Sequence, residues 1–305
     1  MEMLWSMSSA VKKSSITQWV VLFEVFLGFF ATLFFLLFGS NFSNAPYPTW
    51  YSLGTTILEL FAFFLATALC LRNALSSTIV SSRRVWWGIA IGMLLYFIGN
   101  IFFTYWELGL QREPDVSPGD LFYMLSYLFL MVSMGFAVFE RRLNLDGKQY
   151  GIIGAVGLIG VLVAVALASG AAPEPAAADA AETAAVVANV PGWVVGIEDA
   201  LLPYKTLLSF LYLIADTVLL IIATTLFLAF SGGRFAQSWR VIAAGTFCLY
   251  IADAWFKFAT TKLPNYQSGG FFEVGWVLCA VLFGLGAALE YSASQQRRSS
   301  SRRRG

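Results

Sequence analysis

Six acidic or amide side chains fall inside otherwise apolar stretches of this chain: Glu59, Asn100, Asp120, Asp216, Asp253 and Glu273. Carboxyl groups in such surroundings have to be protonated, paired or hydrated. Their chemistry would be the binding of a ligand, a cation or a proton. Four of them fall in two pairs at one spacing. Shifting the sequence by 153 positions lays Asn100 on Asp253 and Asp120 on Glu273. The same shift lays Trp86 on Trp239, Ile89 on Ile242, Ala90 on Ala243, Gly92 on Gly245 and Phe103 on Phe256. A shift of 157 lays Glu59 on Asp216. The pattern predicts two related halves, each giving acids to one polar pocket or to two related ones. Tyr123 and Tyr127 share a helix face with Asp120 and are candidates for the pocket mouth. Lys257 follows Asp253 by one helical turn, which suits a local ion pair.

Each residue also has a plainer use. Ser117, Pro118 and Asp120 resemble a helix capping box. Glu273 suits the positive end of a helix, and Asn100 suits a bond to a neighbouring backbone. Lys257 can extend its ammonium away from an apolar segment. Glu24 lies in the first apolar stretch and has no counterpart in the second half.

The elements that must position these groups are long and apolar. The 305 residues are 58% hydrophobic and 12% charged, about half the charge of an ordinary soluble domain. Mean hydropathy is +0.72. Eight stretches approach the length needed to cross a bilayer: 17–38, 52–71, 85–106, 120–139, 150–169, 206–230, 239–259 and 271–290. The expected fold is all-α, a polytopic membrane protein of eight transmembrane helices in two parallel four-helix repeats. The repeats are 1–148 and 149–291, with an external Ala-rich loop over 170–204 and a basic tail over 292–305. Alternate loops collect Lys and Arg, which predicts cytoplasmic termini. On this topology the six polar residues lie in the outer half of the bilayer. The pocket would face outward, and the bilayer itself would be the principal partner. Trp86, Trp87, Trp106, Trp239 and Trp276 read as interfacial belt residues. Residues 193–202 suit a short surface helix or an irregular loop.

Composition also excludes functions. Histidine is absent, which removes the commonest metal and haem ligand. Cys70, Cys248 and Cys279 are isolated and have no disulfide or metal spacing. No nucleophile–base pair, metal cluster or phosphate loop is legible, so no enzyme activity and no cofactor are expected. The arginine tail lacks interleaved aromatics, which argues against nucleic acid as a partner.

The block from Trp87 to Phe136 resembles the membrane region that precedes GGDEF or EAL output domains in bacterial signalling proteins. The residues that carry the likeness are Gly99-Asn100, Tyr105-Trp106, Ser117-Pro118-Gly119-Asp120, Leu121-Phe122-Tyr123 and Tyr127. Asp216, Asp253 and the Glu273 to Trp276 segment are similar to the later part of such regions. No output domain follows the eighth stretch. The resemblance implies a sensory or ligand-binding membrane module in a bacterial inner membrane, or an internal photosynthetic one. Its partner would be a separate cytoplasmic signalling protein. A small secondary transporter or ion carrier, and a membrane assembly or scaffold protein, are the alternative classes. The oligomeric state is not legible.

Overall fold

Helix starts are set by short local signals. Ser117 precedes Pro118 at the first turn, and the Ser117 amide donates to Asp120 Oδ2 at 2.7 Å. Asp146 and Gln149 make the reciprocal arrangement further on, with contacts of 2.7 and 2.9 Å. Each satisfies backbone donors that a helix end leaves open. The computed structural model describes residues 2–39, 47–112, 116–140, 145–169, 191–230, 234–263 and 266–302. Of the predicted Ala-rich loop over 170–204, residues 170–190 lie outside them.

Among the described residues the helices are α1 (Glu2–Phe38), α2 (Thr49–Leu75), α3 (Arg83–Thr104), α4 (Pro118–Phe139), α5 (Gly147–Ala168), α6 (Gly192–Leu201), α7 (Lys205–Ala229), α8 (Arg234–Lys262) and α9 (Val274–Arg302). A single π-helical stretch, Tyr105–Gly109, closes α3. Residues 193–201 are helical, in α6, and α9 continues through much of the segment expected as a tail.

Six helices form a ring. α2 packs on α3, α3 on α4, α4 on α7, α7 on α8, α8 on α9, and α9 returns to α2. α1 lies outside it, mainly on α9, and α5 lies outside on α7. The buried face of α1 is Glu24, Leu27, Ala31 and Phe35, a stripe at helical spacing.

Close helix contacts depend on small residues. A Cβ on Gly92 would lie 3.0 Å from Leu130 Cδ2 and 3.4 Å from the Ser126 carbonyl oxygen on α4. A Cβ on Gly245 would lie 3.0 Å from Phe283 Cδ2 and 3.1 Å from the Cys279 carbonyl oxygen on α9. The partners differ by the same 153 positions as the glycines. At the ring's centre the indoles of Trp86 and Trp239 meet with centroids 5.7 Å apart.

That contact corrects the belt reading. Trp86, Trp239 and Trp106 are buried, and Trp276 donates to Asp253. Of the five, Trp87 is exposed. Buried indoles fill volume that smaller side chains leave open.

Eight helical segments among the described residues are long and apolar enough to cross a membrane, by length and composition. Phe29, Ile57, Leu121, Leu162 and Ile214 face outward; an exterior this apolar calls for a covering surface. The burial pattern nonetheless corrects the expected fold. That reading set the acids at a depth in lipid and inferred a role from the cost of being there. Glu24, Asn100, Asp216, Glu273 and Glu290 are instead enclosed by protein. Most of the polar interior is answered by hydrogen bonds within the bundle, so packing against protein sets its energetics. Nor are the halves separate four-helix bundles, because α1 rests on α9 and three helices of each half close together into one ring. The fold is an all-α bundle of long helices with an internally hydrogen-bonded polar interior. The expected polytopic arrangement, its bilayer partner, its cytoplasmic termini and its inner-membrane or photosynthetic localisation rested on lipid depth and fall with it.

The helix seams give a direct prediction. A Cβ at position 275 would lie 2.6 Å from the Cys248 carbonyl oxygen, whereas none at 135 meets an atom within 4 Å. Gly275→Ala is expected to destabilise by about 1–3 kcal/mol. Gly135→Ala is expected to be neutral or to stabilise by up to about 1 kcal/mol. Thermal unfolding of the two variants beside the parent checks this, and equal melting temperatures would contradict the seam.

Candidate functional site

The ring surrounds a cavity of about 780 Å³, within the usual size of a small-molecule site. The candidates Glu59, Asn100, Asp120, Tyr123, Tyr127, Asp216, Asp253, Lys257 and Glu273 all line it. Glu24 does not; its carboxyl lies against Gly284 between α1 and α9.

The lining residues are organised in four groups. On the α2–α3–α4 side, Asn100 Nδ2 donates to Glu59 Oε1 at 3.0 Å, and Tyr123 Oη donates to Asn100 Oδ1 at 2.7 Å. The amide is thereby satisfied on both faces, and its orientation is fixed.

The second group joins α4, α7, α8 and α9. Tyr127 Oη lies 2.8 Å from Asp216 Oδ1 and makes a second, closer contact with Asp253 Oδ2. Trp276 Nε1 donates to Asp253 Oδ1 at 2.8 Å. Tyr123 follows Asn100 by 23 positions, and Trp276 follows Asp253 by the same interval. Corresponding donors thus meet corresponding acceptors in the two halves.

The third group holds Asp120. It accepts from the Ser117 amide and, at 2.8 Å through Oδ1, from Tyr212 Oη on α7. Asp120 therefore caps α4 and lines the cavity at once. The fourth group holds Glu273, which accepts from Tyr266 Oη, from Ser268 Oγ at 2.7 Å and from the Gly269 amide at 2.6 Å. Gly269 has φ +119°, a backbone state that favours glycine. Its carbonyl accepts from Tyr51 Oη at 2.7 Å. Burial and the adjacent Glu273 hold the Tyr266 phenol above its ordinary value, so it remains a donor.

Asp253 takes hydrogen bonds from Tyr127 and Trp276, and Lys257 Nζ donates to Ser209 Oγ on α7 at 3.1 Å. Outside the cavity, Glu198 of α6 accepts from Trp106 Nε1 at 3.1 Å and pairs with Arg112.

Several lining residues escaped the sequence reading. Trp276 was read as a belt residue, yet its position relative to Asp253 matches that of Tyr123 relative to Asn100. The 153-residue register could have found it. Tyr212, Tyr266, Glu107 and Lys205 carry no such signal. They reach the cavity through packing of α7 and through segments between helices.

Compared with known protein families, curated proteins and solved structures, the chain matches none. The resemblance to the region before GGDEF or EAL domains is thereby corrected, and the signalling partner it implied goes with it. Its short motifs have local structural uses. Ser117 to Asp120 form a helix start, Gly99 makes room for the Tyr123 ring, and Asn100 bridges Glu59 to Tyr123. Such uses recur in any helical bundle. Among the described residues no group of three Cys, Asp or Glu is placed to hold a metal ion.

The Tyr127 bridge is testable by itself. Tyr127→Phe removes the hydroxyl between two carboxyls and is expected to cost about 1–3 kcal/mol. Adding Asp216→Asn in that background should recover part of the loss, because the amide donates to Asp253. Chemical denaturation of both variants checks the order; an unchanged midpoint for Tyr127→Phe would contradict it.

Proposed function

We propose that this protein binds a small organic cation in the cavity within the ring, without chemistry on the ligand. The observation that carries the reading is the lining itself. Glu59, Glu107, Asp120, Asp216, Asp253 and Glu273 line it against Lys205 and Lys257. The excess of acid favours a positive guest. Tyr96, Tyr123, Tyr127, Tyr212 and Trp276 add aromatic faces and edges, which attract cations and accommodate apolar groups.

The acids have different roles in this reading. Asp120 and Glu273 are occupied by several donors each and hold the walls in place. Glu59 and Asp253 are only partly buried and reach the cavity from opposite halves. They are the groups to which an ammonium would pair. Each half gives one anchoring acid, Glu59 from α2 and Asp253 from α8.

A suitable probe is benzyltrimethylammonium, with neopentylbenzene as its uncharged isostere. The full chain, dispersed in a mild detergent because of its apolar exterior, should bind the cation and not the isostere. Glu59→Gln should weaken binding roughly 10- to 100-fold, the range for loss of one charged partner. Gly135→Ala should leave it unchanged. Isothermal titration calorimetry checks this; equal affinity for cation and isostere, or an unaffected Glu59→Gln, would overturn the reading.

A further inference from the structure

The contacts in the second half of the cavity call for a hydrogen that the first half does not need. In the first half, Glu59 faces an amide, and Asn100 supplies the donor between them. In the second half the corresponding positions are both acids, Asp216 and Asp253. Both lie within hydrogen-bond reach of one hydroxyl, that of Tyr127. Tyr127 contacts both, yet a phenol has a single hydrogen to give. With both carboxyls ionised, one contact would be oxygen against oxygen with nothing between. One further hydrogen on the pair satisfies all of them: an acid donates to the phenol oxygen or to its partner, and the phenol donates onward. Asn100 is the neutral counterpart of that arrangement, with its donor built in.

We propose that the Asp216–Asp253 pair holds one proton when the cavity is empty and gives it up when a cation binds. This rests on the binding reading above and adds its regulation by pH. An ammonium placed beside Asp253 supplies the positive charge that the shared proton otherwise provides. The proton leaves to water, the pair becomes doubly ionised, and the guest compensates it. Charge is conserved: one cation enters and one proton departs.

Other groups reach the pair from every surrounding helix. Glu59 approaches from α2, Tyr96 from α3, Tyr123 and Tyr127 from α4, and Tyr212 from α7. Tyr250 and Lys257 belong to α8, Cys279 to α9, and Glu273 lies just before α9. Burial holds the phenols and the thiol above their ordinary values, so they stay protonated at neutral pH. Glu59 and Glu273 are the competing proton carriers, and the Asp216 variant separates them from the pair.

Calorimetric titration of benzyltrimethylammonium into the full chain, in buffers of differing ionisation enthalpy, reads the protons released. The expected result is about one proton per cation bound, with affinity rising about tenfold per pH unit near neutrality. Asp216→Asn should still bind the cation, release none and lose the pH slope. Binding by the parent without proton release would overturn the exchange while leaving cation binding intact. Release that persists undiminished in Asp216→Asn would assign the proton elsewhere and overturn it too. No binding by the parent would sink both readings.

Discussion

A phenol hydroxyl between two carboxyl groups sets the terms for the rest of this bundle. Tyr127 reaches Asp216 on one neighbour and Asp253 on another, so one side chain fixes the relation of α4, α7 and α8. Trp276 completes the set from α9. In a protein interior an acid without a donor is costly, because nothing replaces its lost hydration. The helices must therefore hold these groups within hydrogen-bond reach. That requirement accounts for the ring better than apolar packing alone, which many helix arrangements would satisfy.

The seams make that closeness attainable. Gly92 against α4 and Gly245 against α9 bring backbones near enough for short side chains to meet across the interface. Between α3 and α8, Trp86 and Trp239 fill the space with each other. At the cavity's edge Gly269 turns its amide toward Glu273 and its carbonyl toward Tyr51. Packing, turn chemistry and the polar interior are parts of one solution. The cavity is the volume left when bulky aromatic walls are held apart by these bonds.

Much of the site was legible because a spacing could be read. The 153-residue register places Asn100 with Asp253 and Asp120 with Glu273, and all four line the cavity. The capping of α4 was legible from Ser117, Pro118 and Asp120 alone. Other features were not. Apolar stretches mark helices and their approximate ends, but they do not say which helix lies beside which. The packing of α1 on α9 joins opposite ends of the chain, and no local pattern announces it. The indoles misled for a related reason. Composition puts a tryptophan near a helix end, whereas only a facing partner, such as Trp239 for Trp86, reveals that it is buried. The depth argument for the acids failed similarly, because position along a helix says nothing about which face a carboxyl occupies.

Anomalous diffraction from the full chain bound to 4-bromobenzyltrimethylammonium addresses the central claim most directly. The account predicts a bromine peak inside the ring, with the ammonium beside Glu59 and Asp253 and the aryl group against the tyrosine wall. Bromine density confined to the outer apolar surface, with the cavity closed by its own side chains, would contradict it.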